Sequence, residues 1–155
     1  MKKLLTVFGI VVICGCLFSG CGKNKLPDLP ENAAAFRMGT FTDSANDNAS
    51  YGTIEYENRT YIMYGTVNNS YDQSCVEACV GYIVKDGSSS SYTDPENKDR
   101  RVYTISGDPE HNFLLDYDST VKLMNQPDIF RAVDTRGEDI EVPSYIDSFA
   151  YEFWE

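Results

Sequence analysis

The chain has 155 residues, with 13 Lys and Arg against 24 Asp and Glu, which gives a formal net charge of −11 at pH 7. A chain of this length is normally one domain, and 42% hydrophobic residues are enough to fill a core, which argues against a fully disordered protein. The acidic excess argues against nucleic acid as a partner, because phosphate binding needs a basic surface, and it favours cations or basic peptides.

The first twenty residues have the pattern of a signal peptide. Two lysines precede an apolar run over residues 4–18, and the small pair at 19–20 is followed by Cys21. This ending resembles the lipobox of bacterial lipoproteins, in which the cysteine after two small residues is diacylglycerol-modified and the chain is cut just before it. The resemblance implies lipidation of Cys21. An uncleaved transmembrane anchor, processing at Cys16 and ordinary secretion are the alternatives.

Lipidation of Cys21 predicts a location on the extracytoplasmic face of the cell membrane, because two acyl chains hold a protein on a bilayer where one chain binds only reversibly. Loss of residues 1–20 removes two lysines and no acid, and brings the formal charge to −13. Residues 21–35 contain two prolines and few large apolar residues, so we expect a tether. Residues 36–155 are then predicted to form one globular domain.

From residue 36 onward, short runs rich in Tyr, Val, Ile and Thr alternate with Asn, Asp, Gly and Ser, the pattern of β-strands joined by turns. The clearest predicted hairpin has a two-residue turn at 58–59. In that register Tyr56 faces Tyr61 and Ile54 faces Met63, which gathers four large side chains on one face of the hairpin. Further strands are predicted at residues 80–84, 102–105, 113–117 and 129–133.

The last segment of the chain has a different period. Apolar residues between positions 142 and 153 recur at spacings of three and four, which predicts a short amphipathic C-terminal helix that packs on the sheet. The expected fold class is therefore mainly β: an antiparallel sheet, arranged as a sandwich or a small barrel, with a short C-terminal helix. An α+β fold is the alternative.

Two cysteines, Cys75 and Cys79, lie within the predicted domain. Ser74 and Glu77 have the spacing of a capping box, which predicts one helical turn that begins at Ser74 and carries both thiols. Thiols four residues apart are neighbours on a helical turn, whereas on a straight strand they lie about 13 Å apart. Because an extracytoplasmic location permits oxidation, we expect a structural disulfide between Cys75 and Cys79.

The same two cysteines also have a metal-binding interpretation. Together with His111 they form a CxxxC pair and a distant histidine, which resembles the copper-binding pattern of membrane-anchored, thioredoxin-like assembly proteins of cytochrome oxidase. The resemblance implies a copper or thiol-redox site at Cys75, Cys79 and His111, and two thiolates with one imidazole suit a soft metal. The simpler interpretation of His111 is a polar turn, and the primary prediction includes no metal and no cofactor.

The sequence lacks the common catalytic motifs. It contains no Gly-x-Ser-x-Gly elbow, no HExxH, no phosphate loop and no Gly-rich dinucleotide turn. Acidic pairs such as Asp116 with Asp118 and Glu138 with Glu141 are expected by chance in a chain with 24 carboxylates. We therefore predict a protein that is not an enzyme, with a cell-envelope enzyme as an alternative.

The eleven tyrosines are candidates for recognition or for packing. Tyrosine provides a large contact area at low entropy cost, which suits a face that binds sugar or protein. Most of the tyrosines fall in predicted strands, where aromatic pairs stabilise a sheet, so packing is their expected role. The predicted function of the domain is non-catalytic binding at the cell surface, with an unknown protein, peptide or glycan as its ligand.

Overall fold

The structure is a computed structural model that describes residues 25–45, 49–84, 98–119, 126–149 and 151–154. Nine β-strands lie in these parts of the chain. The predicted signal peptide and Cys21 lie outside the described residues. The strands are β1 (Ala34–Arg37), β2 (Gly39–Asp43), β3 (Ala49–Tyr56), β4 (Arg59–Val67), β5 (Val76–Val84), β6 (Arg100–Ile105), β7 (Phe113–Asp118), β8 (Asp128–Ala132) and β9 (Ile146–Ser148).

The strands belong to one mixed sheet with the order β1-β5-β6-β7-β8-β4-β3-β2, and β9 pairs with β4. β1 runs parallel to β5, whereas neighbours such as β6 and β7 are antiparallel. Met38 alone separates β1 from β2, which lie at the two ends of this order, so the chain itself links the two edges of the sheet. The sheet curls until β1 contacts β3. The predicted mainly β fold is therefore confirmed, in the form of a half-barrel.

The curled sheet carries a hydrophobic cluster on each face. Side chains alternate along a strand, so Leu114 belongs to the inner cluster and Leu115 to the outer one. The inner cluster closes where the ring of Phe36 in β1 meets that of Tyr56 in β3, with 6.1 Å between the ring centroids. Its buried members are Phe36, Ile54, Tyr61, Ile83, Val102, Leu114, Phe130 and Ala132.

The outer cluster is covered by segments that are not strands. Leu26 and Leu29 pack against it from the N-terminal side, and Tyr145 and Trp154 pack against it from the C-terminal side. Leu26 and Leu29 fall within the residues predicted to form a tether, and β1 begins at Ala34, slightly before the predicted start of the domain. Contacts with the sheet therefore begin on the N-terminal side of the first strand.

The hairpin of β3 and β4 has the predicted faces but a different register. Ile54, Tyr56, Tyr61 and Met63 all contact the inner cluster, as predicted. However, Ile54 pairs with Tyr61, and the turn lies at residues 57–58, where φ is 49° and 62°. Two positive φ values define a type I′ turn, whose twist matches that of the flanking strands. The predicted register is wrong by two residues, a shift that leaves each side chain on its own face.

The C-terminal helix is limited to one 3-10 turn, Glu152–Trp154, and the helix predicted from residue 142 onward is replaced by a loop and by β9. The apolar residues at helical spacing are used in separate contacts. Ile146 is buried in the outer cluster, whereas the ring of Phe153 packs on that of Phe41, with 5.5 Å between centroids. Within the described ranges, no helix has the length and apolar character needed to cross a membrane.

The position of β9 depends on a glycine in β4. Gly65 pairs with Ser148, and a Cβ atom at Gly65 would lie 2.0 Å from the main-chain oxygen of Asp147. A residue with a side chain would therefore push β9 away from β4, because the obstacle is main chain and cannot rotate aside. This close approach brings the C-terminal segment onto the sheet.

Candidate functional site

The structure does not support the predicted disulfide, and the two cysteines lie in different kinds of structure. Cys75 ends the 3-10 turn Gln73–Cys75, whereas Cys79 lies in β5, which begins at the next residue after Cys75. Both thiols are free. The predicted cap at Ser74 is also wrong: Asp72 is the N-cap, and its Oδ1 accepts a hydrogen bond of 2.6 Å from the Ser74 N–H. The extended chain after the turn carries Cys79 away from Cys75.

The alternative metal set of Cys75, Cys79 and His111 is not brought together. Cys79 is buried in the outer cluster, where burial raises the pKa of its thiol. His111 instead lies beside the β3–β4 turn, bonded to Glu57. Among the described residues, no three His, Cys, Asp or Glu side chains are arranged to hold a metal ion.

Four charged or titratable residues, Glu57, Arg59, His111 and Asp134, form a network that we call the hairpin clasp. Nδ1 of His111 lies 2.9 Å from Oε2 of Glu57. This hydrogen bond is the main cause of a lowered pKa of Glu57. Glu57 and His111 both have positive φ, 49° and 51°, a conformation that non-glycine residues adopt at a cost in energy.

Arg59 is the centre of the hairpin clasp. Its Nη2 and Nε donate to the carboxylate of Asp134, at 2.8 Å and 3.0 Å, and this contact lowers the pKa of Asp134. Nη2 also donates to Oδ1 of Asn112 at 3.1 Å, while the hydroxyl of Tyr61 donates to the main-chain oxygen of His111 at 2.7 Å. The bonds of the clasp thus join three segments of the chain: the β3–β4 hairpin, the loop before β7 and the turn after β8.

A second polar cluster lies on the inner face of the sheet. Asp116 in β7 and Asp128 in β8 are directly opposite each other, and we call them the inner carboxylate pair. Burial is the first cause of a raised pKa for both carboxyls. Nε of Arg100 donates to both carboxylate oxygens of Asp116, at 2.8 Å and 3.0 Å. Asp118, two residues after Asp116 in β7, also raises the pKa of Asp116.

A groove of about 280 Å³ lies between the start of β3, the middle of β4, Met38 and Tyr151. We call it the tyrosine groove, and it is lined by Met38, Ser50, Tyr51, Gly52, Ile62, Met63, Phe130 and Tyr151. Tyr151 is 37% exposed and is the large apolar side chain that the described part of the chain leaves exposed. None of the lining side chains carries a charge at neutral pH. The groove is therefore an uncharged, aromatic and thioether surface open to solvent.

Aromatic contacts hold the two tyrosines of the groove in place. The ring of Tyr51 lies 6.2 Å from that of Tyr151 and 5.3 Å from that of Phe153. The guanidinium of Arg136 stacks 4.3 Å from the Phe153 ring centroid, and its Nη1 bonds Oδ2 of Asp43 at 2.9 Å. Because each tyrosine is supported from behind, its outward surface is presented in a defined position.

Glycine keeps the floor of the groove open. A Cβ atom at Gly52 would lie 3.1 Å from the terminal methyl of Met38, so a larger residue there would displace that methyl. Met38 is the residue that links β1 to β2, where the two edges of the sheet meet. The groove is thus formed at the junction of the sheet edges.

Two further cavities have charged linings. One, of about 440 Å³, lies between the loop at 107–113 and residues 140–143, and it includes Asp108, Glu110 and Glu141. The other, of about 540 Å³, lies between Lys25–Asp28 and the outer ends of β6 and β7. There Nζ of Lys25 bonds Asp28 at 2.9 Å, so part of its charge is already neutralised.

The sequence did not single out the tyrosine groove as a site. Packing is the role that the sequence predicts for the tyrosines, and no motif marks the methionines of the groove. The available signal was the concentration of aromatic residues at the C-terminus, but its partner surface on β3 is about a hundred residues away in the chain. Comparisons of the chain with models of protein families, with curated proteins and with solved structures found no match.

Proposed function

We propose that this protein is a lipid-anchored binding protein of the extracytoplasmic membrane face, and that it binds its ligand without chemistry at the tyrosine groove. The anchor is supported by the sequence alone, namely the apolar run, the small pair and Cys21. The binding function is supported above all by the groove. An exposed aromatic side chain beside a concave apolar surface marks a place where a ligand can bury area that the fold leaves open.

The residues that suggest chemistry have structural roles in this proposal. The ring of His111 is engaged by Glu57 at 2.9 Å and packs 5.7 Å from the ring of Tyr56. Arg59 is committed to Asp134 and to the loop before β7. The role assigned to the hairpin clasp is therefore closure of one end of the half-barrel.

A second candidate function is acid–base catalysis at His111 and Glu57. The observation in its favour is the contact between Nδ1 and Oε2, since a carboxylate that orients an imidazole is a recurrent element of catalytic sites. Positive φ at both residues is a further feature of functional sites. In this case the imidazole is essential, whereas in the binding proposal it is not.

Replacement of Cys21 tests the anchor. Cys21→Ala should abolish metabolic labelling with palmitate, because only that thiol carries the diacylglycerol, and should release the protein or leave its precursor uncut. Cys16→Ala is the matched control and should label normally. Labelling that persists in Cys21→Ala would contradict the proposed anchor.

Site-specific photo-crosslinking on intact cells tests the groove. A benzophenone amino acid in place of Tyr151 should give a discrete adduct, and Met63→Glu in the same chain should abolish it by charging the groove. The control position is Glu55, which is exposed on β3 at the end near the hairpin clasp. An adduct from position 55 and none from position 151 would contradict the proposal.

A further inference from the structure

We infer that the tyrosine groove receives an apolar side chain from a basic segment of a partner protein. This inference rests on the proposed function, because it names the chemistry of the ligand for the same groove. Three features of the described residues carry it: the thioether lining, the scarcity of hydrogen-bonding groups in the groove, and the acidic charge of the chain.

The size and lining of the groove suit one or two apolar side chains. Its volume of about 280 Å³ lies just below the range of about 300–1,000 Å³ that holds drug-sized ligands. Two of the eight lining residues are methionines, Met38 and Met63, which are flexible and polarisable and adapt to an inserted side chain. Both methionines are only partly buried, so their methyl groups can move to fit a guest.

The hydrogen-bonding groups of the groove are too few for a sugar. Ser50 and the two phenols are the polar side chains of its lining, whereas carboxylates and amides, which take the many hydroxyls of a saccharide, are absent from it. Tyrosine, in contrast, is enriched among the residues that dominate binding energy between proteins. The lining therefore favours a peptide side chain over a glycan.

Charge determines the residues that flank the inserted side chain. The chain carries a net charge of −11, which becomes −13 without residues 1–20, and the lining of the groove adds no charge of its own. Arg136, which stacks on the ring of Phe153, is engaged by Asp43, whereas Arg37, the residue before Met38, is exposed. The attraction of a basic partner therefore comes from the net charge of the whole chain. A partner with lysine or arginine on either side of its apolar residue is attracted to this surface, whereas an acidic partner is repelled.

Methyl NMR of the full-length lipoprotein, labelled with ¹³C-methyl methionine and embedded in phosphatidylcholine nanodiscs, tests the inference. The probe is the peptide Lys-Lys-Leu-Trp-Lys-Lys. It should shift the signals of Met38 and Met63, assigned with Met38→Leu and Met63→Leu, and added salt should weaken binding. Glu-Glu-Leu-Trp-Glu-Glu should bind at least tenfold more weakly, and Lys-Lys-Ser-Ser-Lys-Lys should leave both methyls unshifted.

Two variants and one sugar complete the design. Tyr151→Ser should lose the methyl shifts, and the matched control Tyr82→Ser, a partly buried tyrosine outside the groove, should keep them. If chitotriose shifts both methyls and the basic peptide does not, the inference is overturned while the groove remains a binding site. If neither the peptides nor the sugar shifts Met38 or Met63, the inference and the groove as the site of the proposed function both fail.

Discussion

The hairpin clasp and the tyrosine groove lie towards opposite ends of β3. The side chains of the clasp are paired with charged partners, whereas those of the groove are uncharged. At Tyr56 and the turn that follows, acids and bases are paired: Glu57 with His111, and Asp134 with Arg59. At Ser50–Gly52, aromatic and thioether groups face solvent without a charged neighbour in the lining. The charged and titratable side chains of the hairpin clasp hold the fold together, and the uncharged end of β3 is where we propose that the ligand binds.

Removal of Arg59 should break the clasp and produce the largest change in stability. Arg59→Ala deletes the hydrogen bonds to Asp134, to Asn112 and to the main chain before β7, so we expect the free energy of unfolding to fall by about 2 kcal/mol. Urea unfolding measures this loss. The matched control is Arg37→Ala on the exposed side of β1, with a change within about 0.5 kcal/mol. Equal stability of the two variants would contradict the role given to the clasp.

Replacement of Tyr151 should weaken binding at the groove while changing the stability of the protein little. Tyr151→Ser removes the exposed ring, so binding of the basic tryptophan peptide should weaken about tenfold, which corresponds to about 1.4 kcal/mol. The free energy of unfolding of the Tyr151→Ser protein should change by less than about 1 kcal/mol, because the ring is more than a third exposed. Isothermal titration calorimetry together with urea unfolding separates the two quantities. Unchanged affinity in a folded Tyr151→Ser protein would contradict the comparison.

A fall in pH should change the contributions of the two polar clusters to stability in opposite directions. The pKa values of Glu57 and Asp134 are lowered by hydrogen bonds to His111 and Arg59, so their contribution to stability is present above the unfolded pKa, near pH 4. It is lost as the pH falls through the folded values. The pKa values of Asp116 and Asp128 are raised first by burial, so the folded state is favoured at low pH and loses stability as the pH rises through those raised values.

Two amide variants separate these contributions. Asp128→Asn should stabilise the protein at pH 7 and flatten the decline in stability between about pH 4 and neutrality. Asp134→Asn should remove part of the loss of stability below about pH 4. Urea unfolding from pH 2.5 to pH 7 measures both profiles. A steeper decline towards neutral pH in Asp128→Asn would contradict the assignment of a raised pKa to the inner carboxylate pair.

The smallest effect is expected from Gly52. Gly52→Ala places a Cβ atom 3.1 Å from the terminal methyl of Met38, which is flexible and can move aside. Stability should change by less than about 0.5 kcal/mol, whereas the narrowed groove should bind the basic peptide about threefold more weakly. The control is Thr42→Ala, which is exposed on β2 and lies outside the lining of the groove. Stronger binding by Gly52→Ala would contradict the steric role of this glycine.

Sequence patterns predicted the sheet better than its connections. Alternation along β3 and β4 placed Ile54, Tyr56, Tyr61 and Met63 on one face, and this result survives a two-residue error in register because side chains alternate with a period of two. The turn itself was misplaced because Glu57 adopts positive φ without being glycine or asparagine. Pattern identifies which side of a strand is buried, whereas the turn determines which residues meet.

The cysteines and the groove show why the rest was not predictable. Ser74 and Asp72 are both good capping residues, and the choice of Asp72 depends on a 3-10 turn that the following strand cuts short. The groove joins Tyr51 to Tyr151 through closure of the sheet and docking of the C-terminal segment, which are long-range events. Local periodicity carries no information on such contacts.

Complementation of a deletion strain, at matched surface abundance, distinguishes binding at the tyrosine groove from catalysis at the hairpin clasp. His111→Ala and the double variant Tyr151→Ser with Met63→Ala are compared in the same assay, with Cys21 and the anchor unchanged. We expect that His111→Ala restores the phenotype and that the groove variant does not. The reverse result, a functional groove variant and a folded, correctly anchored but inactive His111→Ala protein, would contradict the account and favour catalysis at the hairpin clasp.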